Sequence, residues 1–402
     1  MMHFDVAIAG GGPAGLSAAY AAASTGRSVL VIEQNNEIGS PTRTSGGSFI
    51  KDLTELGIPQ ELLHPVHRLR FLSLHRSAEF EYREPIMCVM DVRGVYQHLA
   101  VTAAQAGATI WPGSKALDVI KDGSNIVGMR VETRTKAIVE IAARVVIDAT
   151  GYRGQLLRQA GLSPRFQRFG VGAEYDMFAP RCNQDEAVLV VGSQFAPSGY
   201  AWAAPWGRHR VRVGVGVIHP DHDADPVHRL ESFVAGASKL GVNLEGAQPI
   251  EYHFGLIPSD MGETFVGDGI LGTGDAAGHA STLVGEGIRW AIKAGRMAGT
   301  VAANAIERDD VSAAFLSQFQ SEWLRRYGRN LRIANMLNRK ISRWDDKTWD
   351  ERTELLGLLS PDEFGRGLQT EFSVSWALGI AWAHPRLVKA GFDKVLGKLG
   401  IG

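Results

Sequence analysis

The sequence predicts a mixed α/β (α+β) fold: a Rossmann-like domain, an inserted antiparallel sheet and a helical C-terminal part. Three observations predict it. A strand, glycine turn, helix and second strand follow one another at the start of the chain, within the ~30 residues such a unit needs. Strand-like segments punctuated by Pro and Gly run from 168 to 218, and the chain is helical and rich in Trp and Arg after about 310. Its 402 residues suffice for two or three such units.

Residues 4–9 (FDVAIA) are a short apolar run ending at Gly10, and an alanine-rich helix pattern follows from Pro13 to about Thr25. Residues 27–33 (RSVLVIE) read as a second strand, apolar on both faces as a buried parallel strand should be. Residues 94–107 read as a helix, and 116–147 alternate like a β-meander that ends in Ala143-Arg-Val-Val-Ile-Asp148. Residues 226–240 read as a helix, and a strand at 269–273 runs into a helix starting near Gly285. The expected division is a discontinuous dinucleotide domain (1–60, 86–165, 255–310), a sheet-rich substrate domain (61–85, 166–254) and a C-terminal helical region (311–402).

Composition removes several function classes. Lys plus Arg number 42 against 43 Asp plus Glu, so no single-sign field draws the protein onto nucleic acid. Cys88 and Cys182 are far apart and outside any CxxC. They support neither a redox dithiol nor a disulfide framework, and fit a reducing, cytoplasmic setting. No signal peptide is expected before the first strand, and no run of about 18 apolar residues would cross a membrane. His219-Pro-Asp-His-Asp-Ala-Asp-Pro-Val-His228 is dense in ligand types but lacks a metal spacing. It reads as a solvated loop in which Asp225 starts a helix, and no metal is expected.

Gly10-Gly-Gly12-Pro-Ala-Gly15 fits GxGxxG. Gly10 permits the tight turn, Gly12 lets a pyrophosphate approach the backbone, and Gly15 brings helix and strand together. Pro13 suits a first helical position, and the free N–H groups of the helix N-terminus are offered to the phosphates. Glu33 ends the second strand, where a carboxylate accepts hydrogen bonds from a ribose diol. NAD and FAD share this unit, so later segments decide between them. Val145-Val-Ile-Asp-Ala-Thr-Gly151 would pass beneath the cofactor. In Gly269-Ile-Leu-Gly-Thr-Gly274-Asp275-Ala-Ala-Gly278, Asp275 can bind a ribityl hydroxyl. The helix opening near Gly287 can aim its N–H groups at a flavin's pyrimidine edge. Three glycine-rich turns in this order select FAD.

The chain resembles flavoproteins built like para-hydroxybenzoate hydroxylase, and within them the geranylgeranyl reductase family. The resemblance spans nearly the whole chain and rests on Glu37-Ile-Gly-Ser-Pro-Thr-Arg43, Asp91-Val-Arg93-Gly-Val-Tyr, the Asp275 and Gly287 turns, and Tyr200-Ala-Trp202-Ala-Ala-Pro205 followed by Gly214-Val-Gly216. Leu358-Leu-Ser-Pro-Asp-Glu-Phe and His384-Pro-Arg-Leu resemble that family's tail. By position, the resemblance implies FAD contacts at Ala14, Glu33, Thr44, Ser45, Gly47, Arg93, Ala116, Asp275, Gly287 and Ile288, with Arg93 on a pyrophosphate oxygen. It implies saturation of isoprenoid double bonds with electrons from NAD(P)H or a ferredoxin-type donor. The family's archaeal members carry a loop cysteine where Thr44-Ser45-Gly46-Gly47 stands here, and Ser281-Thr282 replaces an expected proline.

On the strand 210–217, the valines at 211, 213, 215 and 217 share one face, while Gly214 and Gly216 leave a side-chain-free slot on the other. Tyr200, Trp202 and Pro205 are expected to wall that slot for a long apolar chain. Tyr200, His279 and a bound water are the candidate proton donors, and His279 and Ser281 are candidates to hydrogen-bond substrate or to cap the turn. The alternative activity is an FAD monooxygenase on the same fold, for which Thr150-Gly-Tyr-Arg-Gly154 is a loose match. A prenyl- or quinone-binding carrier is a further rival. Trp376, Trp382 and Phe392 with Lys389, Lys394 and Lys398 suit either peripheral contact with a bilayer, at the inner face of the membrane, or packing onto the core.

Overall fold

The computed structural model describes residues 2–162 and 166–385. Its first sheet is built on the opening unit. Strand Met2–Ala9 lies between the parallel strands Val29–Glu33 and Ile138–Asp148. Ile270–Gly272 extends the sheet on one side and Thr109–Pro112 on the other. Residues 6–9 and 29–32 are all at most 2% exposed, so both faces of these strands are covered. The meander Lys115–Asp122, Asn125–Glu132 and Ile138–Asp148 is antiparallel and leads into the central strand.

Helix Pro13–Ala23 packs on helix Ile288–Glu307 at unusually short range. A Cβ on Gly295 would stand 2.1 Å from the Ala14 carbonyl oxygen, and one on Gly299 would stand 2.2 Å from that of Ala18. Only hydrogen-sized side chains allow the two backbones to meet this way. The contact holds the two glycine-rich turns, 270 residues apart in sequence, at one end of the sheet.

The second sheet has seven strands, in the order Gln248–Pro258, Phe169–Phe178, Arg210–His219, Ala196–Gly207, Glu186–Gly192, Arg68–Leu72 and Ser77–Glu81. Val211, Val213, Val215 and Val217 are fully buried on its outer face against Leu230 and Phe233, from helix Pro226–Gly236, whose first turn Asp225 caps. Its inner face looks toward the first sheet. Strand Leu63–Val66 stays out of this sheet and pairs with Met87–Met90, which also pairs with Gly47–Phe49.

The C-terminal helices cross the end of the second sheet. Phe364 stacks on Phe80 with ring centroids 3.9 Å apart, and Trp349 packs against Phe71. Trp376 donates to the Glu363 carbonyl and packs on Phe372, so it belongs to this helical layer. Trp382 is 89% exposed. Phe392, Lys389, Lys394 and Lys398 lie outside the described residues.

Candidate active site

The glycines of the first turn have separable duties. A Cβ on Gly10 would stand 2.1 Å from the Ala149 oxygen, at a φ of +114°, and one on Gly15 would stand 2.0 Å from the Gly10 oxygen. Both are required by the protein's own backbone. Gly12 has nothing within 4 Å of its missing Cβ, so its openness serves whatever enters the adjoining cavity. Pro13 is the first residue of the helix, and Gly12 offers no side-chain cap to the helix N–H groups. The carboxylate of Glu33 accepts from Gly11 N at 2.8 Å and Asn35 N at 2.7 Å, which fixes it at the cavity wall.

One residue of this end was not singled out from the sequence. Asp148 is fully buried and accepts from Thr150 N (2.9 Å), Thr150 Oγ1 (2.7 Å) and Leu157 N (2.8 Å). Burial raises its pKa and these hydrogen bonds oppose the rise. It pins the turn that puts Ala149, Thr150 and Gly151 along the cavity. Its position at a strand end before Ala-Thr-Gly was the available signal.

Asp275 and Gly287 face the same cavity from the other glycine-rich turn. Gly287 caps helix Ile288–Glu307 with no side chain of its own, leaving the positive helix end open. Asp275 is shielded from bulk water, and burial pushes its carboxyl up to about 6. Ala14, Thr44, Ser45, Ala116 and Ile288 line the cavity as well. Arg212, 3% exposed and ion-paired with Asp176, donates to the carbonyls of Ser45 (2.7 Å) and Met90 (3.0 Å). A buried cation thus holds the Thr44–Ser45 loop in place.

Several expected positions fall elsewhere. Arg93 is half exposed, pairs with Glu37 through its Nε at 2.6 Å, and does not line the cavity. Gly47 lies in a strand edge outside the lining. His279 is 2% exposed and enclosed by Phe265, Phe319 and Trp323, with both ring nitrogens unpartnered. Burial pushes its imidazole down to about 3, and it lies away from the cavity. The structure thus places His279 outside the cavity, whereas the sequence offered it as a contact beside the substrate. Ser281 is fully buried and bonds to Thr370 Oγ1 at 2.6 Å, which ties the turn before Gly287 to the C-terminal helices.

The sheet floor also differs from the expected open slot. A Cβ on Gly214 would stand 2.3 Å from Cζ2 of Trp202, so the indole itself lies across Gly214. Its Nε1 donates to Glu174 Oε2 at 2.7 Å. Pro205 and Gly214 are therefore outside the cavity, whereas Gly216 lines it together with Gly170, Gly172 and Gly255. Gly255, Gly172 and Gly216 are cross-strand neighbours, and Tyr200 follows Gly216 in the same row. This row of three glycines, invisible without the strand pairing, lets neighbours lie flat on the sheet: a Cβ on Gly216 or Gly172 would meet the Trp202 ring at 3.5 or 3.7 Å, and one on Gly255 the Arg43 carbonyl oxygen at 2.3 Å. Tyr200 donates its hydroxyl to the Val284 carbonyl, and burial, with charge from Glu174 and Glu286, pushes it up to about 12.

The cavity has a volume of about 1350 Å³, beyond the ~300–1,000 Å³ of a single small-ligand pocket. It runs from Gly10–Ala14 past Asp275 and Gly287, over the glycine floor, to an apolar arm. Leu189, Trp349, Leu356, Phe364, Leu368 and Trp376 line that arm. The first part fits an adenine dinucleotide bearing a flavin: open space at Gly12, a fixed Glu33, and Asp275 near an uncapped helix end.

Residues 5–210 match the family model of FAD dependent oxidoreductases, and 169–257 match that of the geranylgeranyl reductase catalytic domain. The digeranylgeranylglycerophospholipid reductase 2 of Methanopyrus kandleri is 32% identical over 96% of this chain and 98% of its own. The chain belongs to the geranylgeranyl reductase family of FAD-dependent oxidoreductases. A crystal structure of another such reductase-like protein, from Thermoplasma acidophilum, superposes with a TM-score of 0.86 at 27% identity, covering 98% of this chain and 99% of that one. A flavin-dependent brominase shares the fold alone, with a TM-score of 0.67 at 19% identity over 92% of this chain and 98% of its own. The segment that matches the reductase catalytic domain, 169–257, carries Glu174, Trp202 and His253 at the cavity wall.

Proposed function

We propose that this chain saturates carbon–carbon double bonds of an isoprenoid, geranylgeranyl-type chain of a prenyl lipid. The observation that carries the proposal is the continuity of one cavity from the dinucleotide turn to an apolar arm walled by the second sheet and the C-terminal helices. When bound, FAD supplies the hydride. Gly12, Pro13 and Ala14 receive its pyrophosphate, Glu33 the ribose, and Asp275 the ribityl chain. Gly287 and Ile288 present a positive helix end, and Gly10 and Gly15 shape the turn. Thr44, Ser45 and Ala116 close the sides. Tyr200, Trp202 and Gly216 seat the alkene, and the aliphatic and aromatic arm excludes water from it. The reducing equivalents come from NAD(P)H or a ferredoxin-type donor.

No helix among the described residues is long and apolar enough to cross a membrane. Val374, Leu378 and Trp382 are 58%, 65% and 89% exposed on one terminal helix. We propose that this helix rests on the bilayer surface while a lipid chain enters. The deciding experiment incubates dithionite-reduced, FAD-loaded protein with geranylgeranyl lipids and weighs the products. A gain of about two mass units per double bond supports saturation; a gain of about sixteen under air supports the hydroxylase alternative.

A further inference from the structure

Saturating an alkene takes a proton as well as a hydride, and the second sheet contains a path for one. Glu174 and His253 are cross-strand neighbours, 3% and 4% exposed, and both line the cavity. His253 Nδ1 meets Glu174 Oε1 at 2.8 Å, and its Nε2 meets Glu251 Oε2 at 3.2 Å. The Glu251 side chain is 53% exposed. Three groups in hydrogen-bond contact therefore join solvent to the cavity wall. The second oxygen of Glu174 is held by Trp202 Nε1, so the carboxyl sits beside the aromatic pair that seats the alkene. The two proton donors that the sequence offered are otherwise engaged: the Tyr200 proton goes to the Val284 carbonyl, and His279 is sealed among aromatic rings.

We propose that Glu174 delivers the proton to the substrate carbon and is recharged through His253 and Glu251. This rests on the reductase reading given above. The imidazolium proton of His253 passes to Glu174, and the carboxyl gives it to one alkene carbon, whose new C–H bond uses the π electron pair. The other carbon takes the hydride that reduced flavin supplies, and neutral His253 takes a proton from solvent through Glu251. Burial opposes charge on His253, but hydrogen bonding and charge from Glu174, then Glu251, outweigh it against Arg212, and its pKa is raised. The imidazole thus holds its proton to higher pH than a free histidine.

Two measurements test the assignment. In apo protein labelled at histidine, NMR follows the His253 resonance, identified by its loss in His253→Gln. Its midpoint should fall by roughly 1–3 units in Glu174→Gln, because an opposite charge in contact is lost, and by less in the exposed variant Glu251→Gln. In FAD-loaded, dithionite-reduced protein given a geranylgeranyl lipid, Glu174→Gln and His253→Gln should lower kcat by roughly 10²–10⁴-fold with KM little changed. Added imidazole should restore part of the rate to His253→Ala. An unchanged His253 midpoint in Glu174→Gln, or lipid saturation at the wild-type rate and pH profile, overturns the assignment. Should Glu174→Gln not fold, Glu251→Gln decides: it must lower the His253 midpoint and slow turnover at high pH, where solvent protons are scarce. Wild-type protein that never saturates the lipid while the His253 midpoint still depends on Glu174 refutes the reductase reading itself.

Discussion

Gly214→Ala tests whether the Trp202 indole lies where the structure places it. Gly214 is in a strand, and removing a glycine from a strand ordinarily stabilises by ~0.5–1 kcal/mol. Here the new Cβ would stand 2.3 Å from Cζ2, 2.4 Å from Cε2 and 2.8 Å from Nε1 of Trp202. Restoring a carbon–carbon contact of about 3.5 Å moves the ring by roughly 1.2 Å. The Trp202–Glu174 bond is 2.7 Å long and does not survive that displacement. Losing a hydrogen bond to a carboxylate costs about 1.5–3 kcal/mol, and overpacking a tight site about 1–3 kcal/mol, so a net loss of roughly 2–5 kcal/mol is expected. Gly216→Ala is the internal control, since its Cβ would meet the same ring at 3.5 Å, an ordinary contact. Urea unfolding of both apo variants, with the Trp202 emission isolated against Trp202→Phe, measures the difference. A Gly214→Ala protein as stable as wild type, with unaltered Trp202 emission, would refute the placement of the ring.

Gly12→Ala should unfold at the wild-type temperature and yet purify with little flavin, whereas Gly10→Ala and Gly15→Ala should lose stability as well; calorimetry beside the flavin absorbance separates them. Asp275 titrates higher folded than unfolded, at about 6 against 3.8. The native state therefore binds more protons between those values, and apo stability should fall as pH rises from about 4 to about 6. Asp275→Asn should flatten that fall while weakening FAD binding by about 10–100-fold, read by flavin fluorescence titration. Arg212→Met removes one of two arginines from the buried Asp176 carboxylate, which keeps Arg210 and Trp206, so the loss of its charge-assisted bond should cost about 1.5–3 kcal/mol in urea unfolding. It also frees the Ser45 carbonyl, so the FAD dissociation rate should rise.

The first dinucleotide turn was legible because its determinants are local. Gly15 packs on the Gly10 carbonyl five residues before it and the strand 27–33 completes the unit at once, although the close approach of Ala149 to Gly10 shows only in the folded chain. The valine face of 210–217 was legible for the same reason: alternation along a strand needs no knowledge of its neighbours. Agreement among Glu33, Asp275 and Gly287 was enough to name FAD.

The active-site floor required the tertiary structure, because which strand lies beside which is settled by long-range pairing. That pairing brings Glu174 to His253, 79 residues away, lays Trp202 over Gly214 and aligns Gly172, Gly216 and Gly255. It also decides that His279 is sealed among aromatic rings and that Arg93 answers to Glu37. The apolar arm is assembled from the sheet and from helices near the far end of the chain. In the sequence, Phe71 is an unremarked hydrophobic residue and Phe364 only the last residue of a tail motif. They become walls of one cavity only because folding buries them against each other.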